Sequence, residues 1–379
     1  MITIRIVRTD IYRFSIPFVT PMKVGREVLH DRQGFLIVLT DSEGRCGYGE
    51  IAPLPGFDVT PLDRCLQDIP SLRSVLKSAR LNLERFQMTA PLLGVVDLPA
   101  SAWTAYTLFG VESALLGLSL QHEETGSLHP VLPLPGEKLR IAVNGLFIPK
   151  SAKTDGPDQQ IRNLKNSGTT TVKIKIGRLP EEEEIRQIRH LVDEIGSDIS
   201  LRLDGNRNLT PEAYQRYYEA LSSLPVEYVE EPLPEEEMGR TGDVPWPLAL
   251  DESLASLLDP EEPNLSGLDS SVRTVILKPG VFNGLHAMAR LIGNVEQAGI
   301  QAIFSSAFNT GATLAILGVF SRLAGLPPET AHGLDTLRYL AADVLLPSPE
   351  ISGGMLEIPG RLFSGEASLN EDCIRERIP

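Results

Sequence analysis

The sequence predicts an α/β fold: a closed barrel of parallel strands and helices, preceded in the chain by a smaller α+β unit. Two observations carry that expectation. From residue 141 onward, short apolar runs recur at intervals of roughly 21 to 30 residues, and much of the chain between them is helical in pattern. The charged residues that interrupt these runs fall at the same place in each, the C-terminal end. In a (β/α) barrel all strand tips converge on one mouth at that end.

Taken in order, residues 3–15 and 34–39 have the β-branched, alternating character of strands, and Asp41-Ser42-Glu43-Gly44 signals a turn. Apolar helical stretches are expected near residues 63–77 and 100–118. In the second, Ala100, Ala102, Ala105, Gly110 and Ala114 suit close helix packing. Residues 121–139 are rich in Pro, Gly and charge and are expected as a linker. Barrel strands are expected at residues 141–143, 171–176, 200–203, 226–229, 248–250, 274–277 and 301–304, with an eighth segment at 331–336. Helices are expected at residues 180–196 and 211–224. The acids at 181–184 follow Pro180 at a helix N-terminus, where the macrodipole favours negative charge, and are expected as a solvated cap. The tail, residues 351–379, returns to strand-and-turn character and is expected to rejoin the N-terminal unit. The division expected is 1–135 together with 350–379 for the α+β unit, and 136–349 for the barrel.

The chain of 379 residues is long enough for both units, and 42% apolar with 22% charged residues is ordinary for a soluble globular protein. Cys46, Cys65 and Cys373 form no CxxC pair, which argues against a zinc site or a disulfide framework and fits a reducing, cytoplasmic setting. A net charge of −15 repels phosphate backbones, which excludes a nucleic-acid partner. Residues 1–7 alternate like a strand, and no apolar run approaches the length of a membrane span. The expected partner is therefore a small molecule, and no apolar patch on the helix faces sets an oligomeric state.

Lys173 and Lys175 lie two apart on one strand and point to the same side. Asp204 ends the next strand and is followed by Gly205-Asn206; Glu230-Glu231, Asp251-Glu252 and Lys278 end the three after that. Taken singly, a Lys at a strand end is usually a surface residue and an Asp before Gly a turn former. The order K-x-K, D, E, D, K at matching strand positions is not accounted for in that way. Three carboxylates on successive tips make an oxygen-rich pocket that suits a hard cation, Mg²⁺ with Mn²⁺ as a substitute. A lysine crowded by other cations has its pKa lowered towards the range a general base needs.

In these residues the chain resembles the enolase superfamily, in its muconate-lactonising subgroup. The superfamily places K-x-K on the second strand, metal carboxylates on the third to fifth and a Lys on the sixth. The resemblance implies an enolase-type (β/α)7β modified TIM barrel with an N-terminal α+β capping domain. It implies Mg²⁺ on Asp204, Glu230 and Asp251, with Lys175 as base, Lys278 across the substrate and Lys173 beside Lys175. Asn206, Glu231 and Glu252 would support these groups from behind. The run from Gly47 to Phe57 resembles the G-W-G-E-I-x-P-L-P-G-F loop of the o-succinylbenzoate synthase family, Arg202 to Arg207 its R-L-D-x-N-R, and Gly333 to Thr336 its G-L-D-T. Arg202, Ser305 and Gly333 are the implied substrate contacts. The activity implied is Mg²⁺-dependent loss of water from a cyclohexadiene carboxylate through an ene-diolate, a lyase step towards menaquinone or phylloquinone. Two alternatives stay open: racemisation of N-acyl amino acids or epimerisation of dipeptides, and a non-catalytic barrel. Dipeptide epimerases carry D-x-D at the eighth strand, where this chain has only Asp335, and a non-catalytic relative should have lost one of the charged groups. His332, just before Gly333, is expected to be structural.

Overall fold

The computed structural model describes residues 3–77, 79–82, 103–122, 136–151, 156–196, 198–259 and 263–379. The chain opens with three antiparallel strands, β1 (Thr3–Val24), β2 (Glu27–Asp41) and β3 (Cys46–Ile51), paired in chain order. The turn between β2 and β3 is held by Asp41, whose carboxylate accepts from the backbone N–H of Glu43 and of Arg45, each at 2.9 Å. The helix expected over 63–77 is broken into α1 (Leu62–Leu66) and α2 (Ile69–Leu76). Pro70 accounts for the break, because it lacks an N–H and can sit only in the first turn of a new helix. β4 (Arg80–Asn82) pairs with the start of β1.

The helix α3 (Ala105–Ser119) is buried almost all round, as its uniformly apolar sequence requires. It begins at Thr104, whose side chain accepts from Thr107 N. The small residues have the packing role expected of them: a Cβ on Gly49 would lie 1.8 Å from the carbonyl oxygen of Gly110, and one on Gly47 2.0 Å from that of Ala114. Glycine in β3 thus lets strand and helix backbones touch. Ala100, Ala102 and most of the expected linker, residues 123–135, lie outside the described residues.

The second unit begins with β5 (Lys138–Ala142), β6 (Gly145–Phe147) and α4 (Gly156–Ser167). Strand and helix then alternate: β7 (Thr171–Lys175), α5 (Glu181–Ile195), β8 (Ser200–Asp204), α6 (Pro211–Leu221), β9 (Val226–Glu230), β10 (Leu248–Leu250), α7 (Leu254–Leu257), β11 (Val272–Leu277), α8 (Gly284–Gln297), β12 (Gln301–Phe304) and α9 (Gly311–Leu323). The strands from β6 to β12 form one parallel sheet in chain order. Its two edges are joined through residues 332 and 333, where His332 bridges Val143 and Gly333 bridges Ser305. This is an α/β barrel of the enolase type with an N-terminal antiparallel sheet. Tyr228, Ala249, Ile276 and Ile303 fill its interior as a separate apolar cluster, and the helices cover the outside.

The first barrel strand is a correction. It is β6 and not residues 141–143, because β5 pairs antiparallel with β15 (Met355–Pro359) from the tail. Alternating exposure along β5 suits an edge position, whereas β6 starts at Gly145, where a Cβ would come within 2.3 Å of Leu164. The tail itself divides. β13 (Leu345–Leu346) pairs with β16 (Ser368–Leu369) and β14 (Glu350–Ser352) with β15, while only β17 (Ile374–Arg377) returns to β1.

Buried polar side chains tie the N-terminal unit to the barrel. Glu50, on β3, accepts from Thr310 N at 3.0 Å, Thr310 Oγ1 at 2.8 Å, Thr313 Oγ1 at 2.7 Å and Asn309 Nδ2 at 3.2 Å, all at the start of α9. Glu112, on α3, accepts from His286 N in the first turn of α8. Both carboxylates therefore sit at the positive end of a barrel helix. Arg32 completes the contact by donating to Phe308 O at 3.1 Å and to Pro53 O at 2.9 Å.

At the closing segment, His332 is buried, and its Nδ1 accepts from Phe304 N at 3.1 Å. Burial, reinforced by Arg202 and Arg322, pushes its pKa down to about 3. The unfolded chain then binds a proton that the folded chain refuses between about pH 6.5 and 3, so stability is present above that window and lost as pH falls through it. The slope from this group approaches about 1.4 kcal/mol per pH unit. His332→Asn, which keeps an acceptor and does not titrate, is expected to flatten the fall of the urea midpoint on acidification. Equal slopes in the two proteins would refute this.

Candidate active site

The strand register builds a charged layer at the C-terminal end of the barrel. Lys175 is level with Asp204, Asp204 with Glu230, and Glu230 with Ala249, two residues before Asp251. Lys173, one pleat lower on the same face as Lys175, is level with Arg202 and Tyr228. Asp204, Glu230 and Asp251 are essentially buried, while the three lysines keep between 11% and 19% of their side-chain surface exposed. Among the described residues of this layer, the exposed surface belongs to the lysines and not to the carboxylates.

The charges pair off in an ordered way. Lys173 Nζ lies 2.7 Å from both carboxylate oxygens of Glu230 and 2.7 Å from Asp204 Oδ2. Lys175 donates to Asp204 Oδ2 at 2.6 Å and to Asn206 Oδ1 at 2.9 Å, and Lys278 to Asp251. Burial, helped by the Lys173 charge and opposed by Asp204, pulls Lys175 below the ordinary lysine range. Lys173 goes the other way: burial opposes its charge, but Asp204 and Glu230 together hold it well above the ordinary value. Lys278 is raised against burial by Asp251 and Glu252. Burial and the neighbouring Asp204 and Asp251 push Glu230 well above the carboxylate range. The two lysines of one strand, separated by a single residue, thus have opposite proton affinities.

Glu231 is fully buried and adopts a φ of +40°, turning its side chain away from Glu230. Its carboxylate accepts from Asp251 N at 2.9 Å, Ser253 N at 2.8 Å, Ser253 Oγ at 2.7 Å and Arg207 Nε at 3.1 Å, so it fixes the backbone that carries Asp251. Asn206 and Arg207 also take positive φ values, +44° and +60°, in the turn after Asp204. Non-glycine residues held this way in one place are costly and mark a turn fixed by its surroundings. Glu252 lies partly buried beside Asp251, and burial followed by the Asp251 charge raises its carboxyl pKa.

Two residues behave differently from expectation. Arg202 is buried and fully committed to Glu227, through Nε at 2.8 Å and Nη2 at 3.1 Å, to Asn144 Oδ1 at 3.3 Å and to Ala331 O. These partners sit at the opposite, N-terminal ends of the strands, so Arg202 closes the floor of the barrel and is not presented at the mouth. Glu184 is no solvated cap residue: it is fully buried and accepts from three successive N–H groups, Gly177 at 2.8 Å, Arg178 at 2.8 Å and Leu179 at 2.7 Å, and from the Tyr217 hydroxyl. The turn that follows Lys175 is thereby clamped. Ser305 and Gly333 are brought together as bridge partners on the seventh and eighth segments, and a Cβ on Gly333 would come 2.9 Å from Ser305 Oγ. Sequence reasoning passed over Arg207, Ser253, Glu184 and Tyr217. The repeated acid in Glu230-Glu231 and the Arg207 that closes its motif were the available signals for the first two.

Among the described residues no three His, Cys, Asp or Glu side chains converge as a ready metal cage. The donor chemistry nonetheless fits a hard divalent cation, because Asp204, Glu230 and Asp251 are all buried, and burial together with the charges of Asp204 and Asp251 raises the Glu230 pKa. No helix among them is long and apolar enough to cross a membrane.

A parallel barrel with lysines and carboxylates on consecutive strand tips defines an enzyme acting on a small carboxylate, of lyase or isomerase type. A family model described as "Enolase C-terminal domain-like" matches residues 158–362, and one described as "MenC, N-terminal domain" matches residues 6–88. The chain belongs to the enolase superfamily, in the subgroup of muconate-lactonising enzymes and o-succinylbenzoate synthases. It is 30% identical over 349 residues to the o-succinylbenzoate synthase of Vibrio cholerae, covering 90% of this chain and 93% of that one. To the enzyme of the same name from Yersinia pseudotuberculosis it is 27% identical over 356 residues, covering 90% and 93%. Among solved structures it resembles the muconate lactonizing enzyme of Pseudomonas fluorescens, with a TM-score of 0.72 at 18% identity over 98% of this chain and 99% of that one. It also resembles the dipeptide epimerase of Enterococcus faecalis, with a TM-score of 0.72 at 20% identity over 93% and 97%.

Proposed function

We propose that the protein is an o-succinylbenzoate synthase, a cytoplasmic dehydratase that converts SHCHC (2-succinyl-6-hydroxy-2,4-cyclohexadiene-1-carboxylate) to o-succinylbenzoate for menaquinone or phylloquinone synthesis. The observation that carries this reading is the placement of two lysines from different strands at one mouth, each held on a carboxylate of the same buried trio, Lys175 on Asp204 at 2.6 Å and Lys278 on Asp251. The relatives that span most of the chain support the choice of substrate. In this reading the N-terminal unit, joined by β17 from the tail, serves as the cap, and residues 136–349 carry the chemistry.

Lys175, neutral in a larger fraction than an ordinary lysine, takes the α-proton of the ring carboxylate. The same ammonium then protonates the departing hydroxyl, the C–O bond breaks, and the new double bond completes the aromatic ring. One residue serves both steps when proton and hydroxyl leave from the same face. Lys278 remains charged and faces the developing anion, and Lys173 holds Asp204 and Glu230 together. Asp204, Glu230 and Asp251 would hold Mg²⁺, which supplies a fixed double positive charge beside the substrate carboxylate. Asn206, Glu231 and Glu252 support those three side chains, and Ser305 and Gly333 stand where the substrate's ring or tail passes.

Incubation with Mg²⁺ and SHCHC is expected to give an aromatic absorbance that EDTA abolishes and Mg²⁺ or Mn²⁺ restores. No product under any metal would sink the synthase reading. A second reading, racemisation of N-acyl amino acids, is favoured by two lysines at one mouth. It predicts exchange of the α-proton in heavy water, and an enzyme that dehydrates without such exchange excludes it.

A further inference from the structure

One side chain of the N-terminal unit reaches the charged layer itself. Phe57, in the turn after β3, presents its ring to Lys278, with Nζ 4.3 Å from the ring centroid. The face of an aromatic ring attracts a cation, most strongly where water is displaced, and Lys278 keeps only 11% of its side-chain surface exposed. Asp251 holds the ammonium from one side and the Phe57 ring from another.

The turn that carries Phe57 is built to stay in place. Phe57 N and Asp58 N both donate to Leu54 O, at 3.2 Å and 2.9 Å, and the Asp58 carboxylate accepts from Leu54 N. The Tyr106 hydroxyl, from α3, hydrogen-bonds to Asp58. The ring of Tyr106 in turn lies against Gly280, where a Cβ would come 2.2 Å from it. Gly280 has a φ of +75° and follows Lys278 by two residues, so glycine is required there on both counts. The same N-terminal unit thus grips the end of the Lys278 side chain through Phe57 and the chain just beyond it through Tyr106.

We propose that Phe57 is a positioning residue for Lys278: its ring fixes the ammonium of a long, flexible side chain in the one place where it faces the reacting anion. The proposal rests on the role given to Lys278 above. A correctly placed charge acts in the transition state more than on bound substrate, so the effect belongs in kcat and not in KM.

The test compares wild type, Phe57→Tyr and Phe57→Leu, the last of similar bulk without a π face. Each is assayed with SHCHC and Mg²⁺ and also prepared with lysine labelled with carbon-13 at Cε, the Lys278 signal being assigned by its loss in Lys278→Arg. Phe57→Leu is expected to lose about 3- to 30-fold in kcat, with KM within about two-fold and with an unchanged thermal midpoint. Phe57→Tyr should restore the rate. The Cε protons of Lys278 should be shifted upfield by the ring in wild type and Phe57→Tyr, and return to the ordinary lysine position in Phe57→Leu. A Phe57→Leu enzyme that turns over normally, loses only in KM, or keeps the wild-type Lys278 signal overturns the proposal. A wild type that makes no aromatic product but shows the shifted signal, lost in Phe57→Leu, refutes the synthase reading and leaves the Phe57–Lys278 contact standing.

Discussion

Lys175→Ala is expected to lower turnover by about 10²–10⁴-fold, the range a positioned general acid–base supplies, and to leave the fold almost untouched. The two halves of that expectation have separate causes. Lys175 is the lysine of its strand whose proton affinity is lowered by burial and by Lys173, so its loss removes a base that Lys173 cannot replace. Stability is spared because Asp204 is not left stranded. It keeps Lys173 at 2.7 Å and the Asn206 N–H at 3.0 Å. Breaking a buried ion pair is strongly destabilising only where it leaves a charge without a partner. Steady-state rates with SHCHC, alongside thermal melting, check both halves. A variant that keeps a tenth or more of the wild-type rate would remove Lys175 from the role of base.

The largest effect on stability is expected at Glu231, which no solvent reaches. Glu231→Ala removes at once the acceptor for two buried backbone N–H groups, the Ser253 hydroxyl and the Arg207 guanidinium. Each donor left without a partner costs about 1–3 kcal/mol, with some recovery where water enters the space. A net loss of about 3–5 kcal/mol follows, in line with breaking a buried charged pair. Activity should fall as well, since the N–H of Asp251 is one of the freed donors. Glu231→Gln keeps the shape and an acceptor oxygen, so it should lose less than the alanine variant. Urea unfolding of the three proteins measures this, and an alanine variant as stable as wild type would show that the network contributes little.

Much of this architecture is legible in the chain because a parallel strand covered on both faces has to be apolar along its whole length. Such strands, at residues 248–250 and 274–277, stand out, and the Asp251 and Lys278 at their tips stand out against them. The first barrel strand does not, because β5 and β6 lie only two residues apart and pairing with β15, from the far end of the chain, decides which of them enters the barrel. Pro70 was visible, yet its effect on the helix near residue 68 depends on packing. Arg202 occupies a motif next to Asp204, and periodicity puts both on one face. The length of its side chain, which carries the guanidinium to Glu227 and Ala331, has no trace in spacing. Glu184 is hidden for a similar reason. Four acids in a row look alike, and only the turn of the helix decides which of them is inside.

The carboxylates of Glu50 and Glu112, set against the starts of α9 and α8, have a consequence for how such proteins exchange parts. Two fixed points leave a rigid body only rotation about the line between them, and the Arg32–Phe308 contact removes it, so the three together set the angle at which the N-terminal sheet sits over the barrel. Phe57 follows Glu50 by seven residues along the same strand and turn, and inherits its placement from that angle. A chimera that joins this barrel to the cap of a relative would therefore fold in a misaligned pose unless the donor brings acids at both positions. Grafting only the loop that faces the mouth, on the native sheet, keeps the alignment. The interface thus acts as a keyed joint, and the smallest transferable module that preserves it is the cap together with the two helix starts it locks onto.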